Sequence, residues 1–193
     1  MKKSLLAAVL VAAATMGLAF GADKGKTVQF GRYYEDKAGK KLTPIEWTVL
    51  DEKDGRTLLI TTKVIDAQPF HNKRIAVTWD NCDLRAWLNG KFFATAFTKE
   101  EQAAIATTEV SAFKNPRFDT PVGKPTRDKV FLLSYEECLT YMPTDADRKT
   151  FPTEYAIAND CYINTDGHAA WWLRSNGMSV TEPEHLATWG NFS

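Results

Sequence analysis

The residues able to do chemistry are few and scattered. Three histidines, His71, His168 and His185, and three cysteines, Cys82, Cys138 and Cys161, stand apart from one another along 193 residues. A nucleophilic triad needs a serine or cysteine beside a base that takes its proton. No serine here lies in a GxSxG elbow; Ser134 reads as a helix cap and Ser175 as an ordinary strand-end residue. The cysteines are separated by 56 and 23 residues, which matches no zinc spacing, so neither a metal nor a cofactor is assigned. For an odd number of cysteines in an exported protein, one disulfide with a free thiol and three buried thiols are both open.

Tryptophan beside arginine is the stronger signal. In "AAWWLRSNG", strand alternation sends Trp171 and Leu173 to one face and Trp172 with Arg174 to the other, before Ser175-Asn176-Gly177 turns the chain away. Trp171 then fills the core. Trp172, Arg174 and Asn176 are the residues through which this strand can touch a ligand, with the Arg174 fork suited to an anionic group. "LRAW" repeats the pairing with Arg85 and Trp87. Either arginine can stack on an indole or pair with a carboxylate such as Asp83 or Asp66. Trp47 and Trp87 fall at core-facing phases, and with Arg85 and Trp171 they are assigned to structure. Six Trp, six Tyr and eleven Phe would also supply a platform on which sugar rings stack.

The elements that must hold these residues are short. "TVQFGRYY" and "PIEWTVLD" alternate as strands, and "DEKDG" makes a tight reversal into "RTLLITTKVI", which predicts a hairpin. Asp80 or Asn81 can cap a helix carrying Leu84, Trp87 and Leu88, which Asn89-Gly90 stops. Thr98 to Glu101 and Ser134 to Glu137 are capping boxes, and Thr153 caps a further turn. "TEVSAF" reads as a strand, and "DKVFLLS" as a short buried one. Between them "KNPRFDTPVGKPTRD" has three prolines and a glycine and is a long surface loop. The segment after Gly177 is only weakly patterned.

Residues 1–21 put Lys2 and Lys3 before an apolar run and end in Ala19-Phe20-Gly21, the pattern of an export leader cleaved after Gly21. No cysteine follows for lipid attachment, and no later stretch is apolar enough to span a bilayer. The chain balances 24 basic against 24 acidic residues, and loss of Lys2 and Lys3 leaves a charge near −2, which excludes recruitment by nucleic acid or anionic lipid through bulk charge. Residues 22–193 are expected to form one domain, exported to the periplasm or the exterior.

"FGRYY", "PIEWTVLD", "LRAWLNGKFF", "DKVFLLS", "PTEYA" and "WWLRSNG" occur in an order that resembles a bacterial secreted family, domain of unknown function 6273, over residues 28–177. The resemblance implies an α+β fold of the C-type-lectin-like or formylglycine-generating-enzyme-like kind: one compact domain, a mixed sheet, short helices and long loops. It transfers no chemistry by itself. The copper-binding cysteine pair of formylglycine-generating enzymes has no counterpart close in sequence here. The calcium motif of C-type lectins has none in order, since "EPE" follows "WDN". Family members run on to a closing segment like "GVRPAL", so the domain is expected to be shortened, with "TVQFGRYY" left as an edge.

The expected function is an exported, non-catalytic binding domain for a glycan, a peptide or an envelope partner. Its alternative is a cell-envelope enzyme whose site is gathered from residues distant in sequence.

Overall fold

The computed structural model describes residues 5–6, 9–13, 23–179 and 182–192, with side chains described for 23–178, 185 and 187–192. The expected cleavage site at Ala19 to Gly21 lies outside the described residues. In chain order the strands are β1 (Leu5–Leu6), β2 (Val9–Ala13), β3 (Thr27–Tyr34), β4 (Leu42–Lys53), β5 (Arg56–Thr61), β6 (Asp66–Ala67), β7 (Thr108–Val110), β8 (Thr126–Asp128), β9 (Val130–Phe131), β10 (Trp171–Ser179) and β11 (Glu182–Leu186). The helices are α1 (Asp83–Trp87), α2 (Phe93–Ala96), α3 (Lys99–Ala104), α4 (Tyr135–Tyr141) and α5 (Glu154–Ala158). Mostly antiparallel sheets, with β1 and β10 paired in parallel, combined with short helices make this an α+β fold.

One sheet runs β3-β4-β5-β2-β9 and a second β11-β10-β1-β6, while β7 and β8 pair by themselves. The β4–β5 hairpin turns at Asp54 and Gly55, whose φ values of 52° and 68° are those of a primed turn matched to strand twist. In β3 the register slips between Gln29 and Arg32, and Gly31 sits in this bulge at φ 69°. A Cβ there would lie 2.6 Å from the Phe97 ring, so glycine is required by both backbone and packing.

The core gathers Trp47, Leu59, Leu84, Leu88, Phe92, Ile105, Leu132, Leu133 and Trp171, all essentially without solvent contact. Trp47 Nε1 donates to the Phe30 carbonyl at 2.7 Å, which satisfies its polar atom inside the apolar mass. Phe30, Phe92 and Phe97 pack ring to ring around it.

Several local expectations change. Asn89-Gly90 does not stop the helix: a π-helical turn at Leu88–Phe92 carries the chain from α1 into α2. The reason is that the Asn89 amide is used elsewhere, donating to the Arg85 and Val130 carbonyls and accepting from the Lys129 and Val130 N–H groups. The cap of α1 is Cys82, whose sulfur accepts from Arg85 N; Asp80 and Asn81 lie in a preceding 3-10 turn. Trp87 is half-buried and stacks on Phe92 with ring centroids 5.4 Å apart. Ser175-Asn176-Gly177 do not turn the chain either, because β11 pairs along β10 through that stretch. The caps at Thr98, Ser134 and Thr153 are formed.

Trp47→Ala is expected to cost about 3–5 kcal/mol in unfolding free energy, and Trp47→Phe clearly less, because the smaller change leaves most of the volume filled. Urea unfolding followed by fluorescence of the other tryptophans checks the order.

Candidate functional site

The predicted loop and the predicted strand end meet. Residues 111–125 contain no helix or strand and lie against β10. Asn115 Nδ2 donates to the Asn176 carbonyl at 2.8 Å, and Asn176 Nδ2 donates to the Pro121 carbonyl at 2.6 Å. The two side-chain amides latch loop and strand in both directions, and Asn115 and Asn176 are both buried. On its far side the loop packs on the Trp79–Asn81 turn, where a Cβ on Gly123 would lie 2.1 Å from Asp80 Oδ1 and 2.7 Å from Thr78 Oγ1. Only glycine permits that approach.

Beneath the latch is Arg174, 6% exposed. Its guanidinium forks onto Glu137, with Nη2 to Oε1 at 2.6 Å and Nη1 on Oε2. Nη1 also donates to the Leu132 carbonyl at 2.7 Å and Nε to the Ser111 carbonyl at 3.4 Å. Glu137 meanwhile accepts from Ser134 N, closing the capping box of α4. A fork so committed has no face left for an anionic ligand. The recess lined by Arg174, Ser175, Asn176, Ser111, Phe113 and Pro121 has a volume of about 20 Å³, room for roughly one water.

Trp172 does not line that recess. Its Nε1 donates to the Gln68 carbonyl at 3.1 Å, and its ring meets Phe70 and His185 edge to face. Trp171 is buried with Nε1 donating to the Arg148 carbonyl at 3.1 Å. Arg85 pairs with neither Asp83 nor Asp66. Its Nε holds Asp128 Oδ1 at 2.7 Å, while Trp79 Nε1 and Thr126 Oγ1 complete that buried carboxylate. These partners come from 37 to 49 residues away, beyond what neighbouring sequence reveals.

The loop's outer face is different in kind. Phe113 and Val122 are 49% and 46% exposed, and Lys114 and Lys124 flank them. The surface is apolar, with Lys124 at one margin and Lys114 paired to Asp119 Oδ1 at 2.6 Å at the other, held from below by the latch.

Two buried or half-buried groupings of titratable residues lie elsewhere. His71 Nδ1 lies 2.9 Å from Asp83 Oδ2, which also accepts from Asn72 N and Nδ2. The thiol beside this pair is Cys82, buried and pushed up to about 12 by desolvation, so it is not a thiolate that the imidazole could employ. Asp66 is 1% exposed and accepts from Tyr33 Oη at 2.7 Å and Ala67 N at 2.7 Å. Desolvation raises its pKa above 3.8 and outweighs the hydrogen bonds that lower it. The Tyr33 hydroxyl is raised as well, by burial first and then by Asp66.

Three open grooves of about 240, 340 and 450 Å³ lie elsewhere on the described residues, and no histidine or cysteine lines any of them. The three cysteines are unbridged. Among the described residues no helix is long and apolar enough to cross a membrane.

A family model described as "Domain of unknown function (DUF6273)" matches residues 54–188. "LRAWLNGKFF", "DKVFLLS", "PTEYA" and "WWLRSNG" lie inside the matched stretch, and "FGRYY" and "PIEWTVLD" precede it. No curated protein and no solved structure matches the chain.

Arg174→Ala leaves Glu137 without its fork and is expected to destabilise by about 3–5 kcal/mol, measured by urea unfolding. Burial pushes Cys82 and Cys161 up to about 12, so at pH 8 the folded chain is expected to react slowly with a thiol reagent and to release three thiols in denaturant without reductant. Because the folded pKa of Asp66 is raised, its stabilising contribution is complete below pH 3.8 and declines as pH rises through the folded value. Asp66→Asn is therefore expected to abolish that decline, and wild-type and variant unfolding free energies compared from pH 4 to pH 7 check the sign.

Proposed function

We propose that this chain, which belongs to the DUF6273 family, is an exported, non-catalytic binding module that meets a glycan, a peptide or another envelope component through its 111–124 loop. The observation that carries the reading is the two-way Asn115–Asn176–Pro121 latch, which spends buried hydrogen bonds to hold Phe113 and Val122 out in solvent. Rigid exposed apolar groups lose little entropy on contact, which favours association. Lys124 beside them, unlike Lys114, which pairs with Asp119, favours a partner that adds an anionic group to its apolar contact.

The recess beneath the loop is too small for a metabolite, so contact falls on the outer surface. The His71–Asp83 pair lacks an activated nucleophile in Cys82, and this weighs against the reading as an envelope enzyme. The C-type-lectin-like description of the fold belongs to the same proposal, supported by the mixed sheets, short helices and long latched loop.

The purified protein is expected to bind at least one component on a glycan array or in an envelope pull-down. The double variant Phe113→Ala, Val122→Ala is expected to lose about tenfold or more in affinity with an unchanged melting temperature. Empty results from both assays overturn the reading.

A further inference from the structure

The leader-like residues occupy an interior position of a sheet. β2, Val9–Ala13, lies between β5 and β9, antiparallel to both. Its register with β5 runs from Val9 opposite Ile60 to Ala13 opposite Arg56, and on its other side Val9 and Leu10 face Phe131 and Val130. The strands it separates are core: Leu59 and Val130 are fully buried, and Ile60 and Phe131 nearly so. β1 does the same on a smaller scale, joining β6 to β10.

The sequence of residues 1–21 is that of a segment removed on export. Removal takes a strand out of the interior of the sheet and exposes the facing edges of β5 and β9. The outer side of β9 is already occupied, since the Asn89 amide holds both the N–H and the C=O of Val130. The open side is therefore the one turned toward β5. Unpaired backbone groups bordered by buried apolar side chains cannot be left dry without cost, and such an edge templates another strand.

We propose that the slot between β5 and β9 is a strand-acceptor site, filled in the exported protein by an extended apolar segment of a second polypeptide. The leader shows the chemistry required: about five residues facing 56–60, antiparallel to both neighbours, uncharged and free of proline. The site shares no residue with the 111–124 loop surface; it rests on the export part of the proposed function and not on the loop as a binding surface.

The test uses the full chain with a specific protease site placed within residues 15–21, so that cleavage leaves β2 seated but no longer tethered. A fluorescent peptide of residues 8–14, carrying added lysines for solubility, is then offered. The expected result is saturable uptake by the cleaved chain, a melting temperature that rises with peptide concentration, and binding about tenfold weaker or worse for the Leu10→Pro peptide, whose proline interrupts the ladder. If cleavage unfolds the chain, restoration of the fold by the first peptide and not by the proline peptide supports the site equally. No uptake, equal uptake of both peptides, or a protein recovered from the envelope with residues 1–21 still attached overturns it.

Discussion

The fork between Arg174 and Glu137 is the interaction on which the most elements converge. Arg174 belongs to β10, Glu137 to the first turn of α4, and the same guanidinium holds carbonyls of Leu132 and Ser111. Strand, helix and loop thus share one buried cation. Its geometry follows from the capping box: Ser134 fixes Glu137 at the helix start, so the carboxylate faces the strand already oriented. A second ion pair, Arg85 Nε on Asp128 Oδ1 with Nη1 on the Asp80 carbonyl, fastens α1 to β8. Both satisfy a buried charge fully, which is the condition under which such pairs are tolerated in a core.

Asp66 is handled by another route. Neutral donors surround it, Tyr33 Oη and Ala67 N closest, with Gln68 and Asn159 amides farther off. Hydrogen bonds without a paired cation leave desolvation dominant, and the carboxyl holds its proton more tightly than in water.

Function and architecture meet in the loop at 111–125. A proline-rich segment of this length has little backbone satisfaction of its own; here Asn176 satisfies the Pro121 carbonyl from β10, Asn115 returns a bond to the Asn176 carbonyl, and Gly123 lets the loop pack closely on Asp80 and Thr78. What the loop then presents to solvent is a fixed apolar surface with lysines at its margin.

Features carried by contacts within a few residues were legible in the sequence. The capping boxes at Thr98 and Ser134, the Asp54-Gly55 hairpin, the burial of Trp47 and Trp171, and the length of the loop all follow from local periodicity and turn chemistry. The partners of Arg85 and Arg174 were not legible, because 43 and 37 residues separate each from its carboxylate and many carboxylates compete at that range. Nor was the path through Asn89-Gly90, where an amide that locally signals a helix stop instead bonds β9. The run of β10 through Gly177 depends on β11, whose "EPEHL" lacks strand alternation and is held by its neighbour. The sequence by itself determined that Trp47 and Trp171 are core and that helices begin at Thr98, Ser134 and Thr153, since hydrophobic phase and capping are properties of short range. Only the tertiary structure decided that Arg174 is an internal tie, that Trp172 packs on Phe70, and that Val9–Ala13 sits inside a sheet, because each depends on which distant groups are left to pair once the chain has closed.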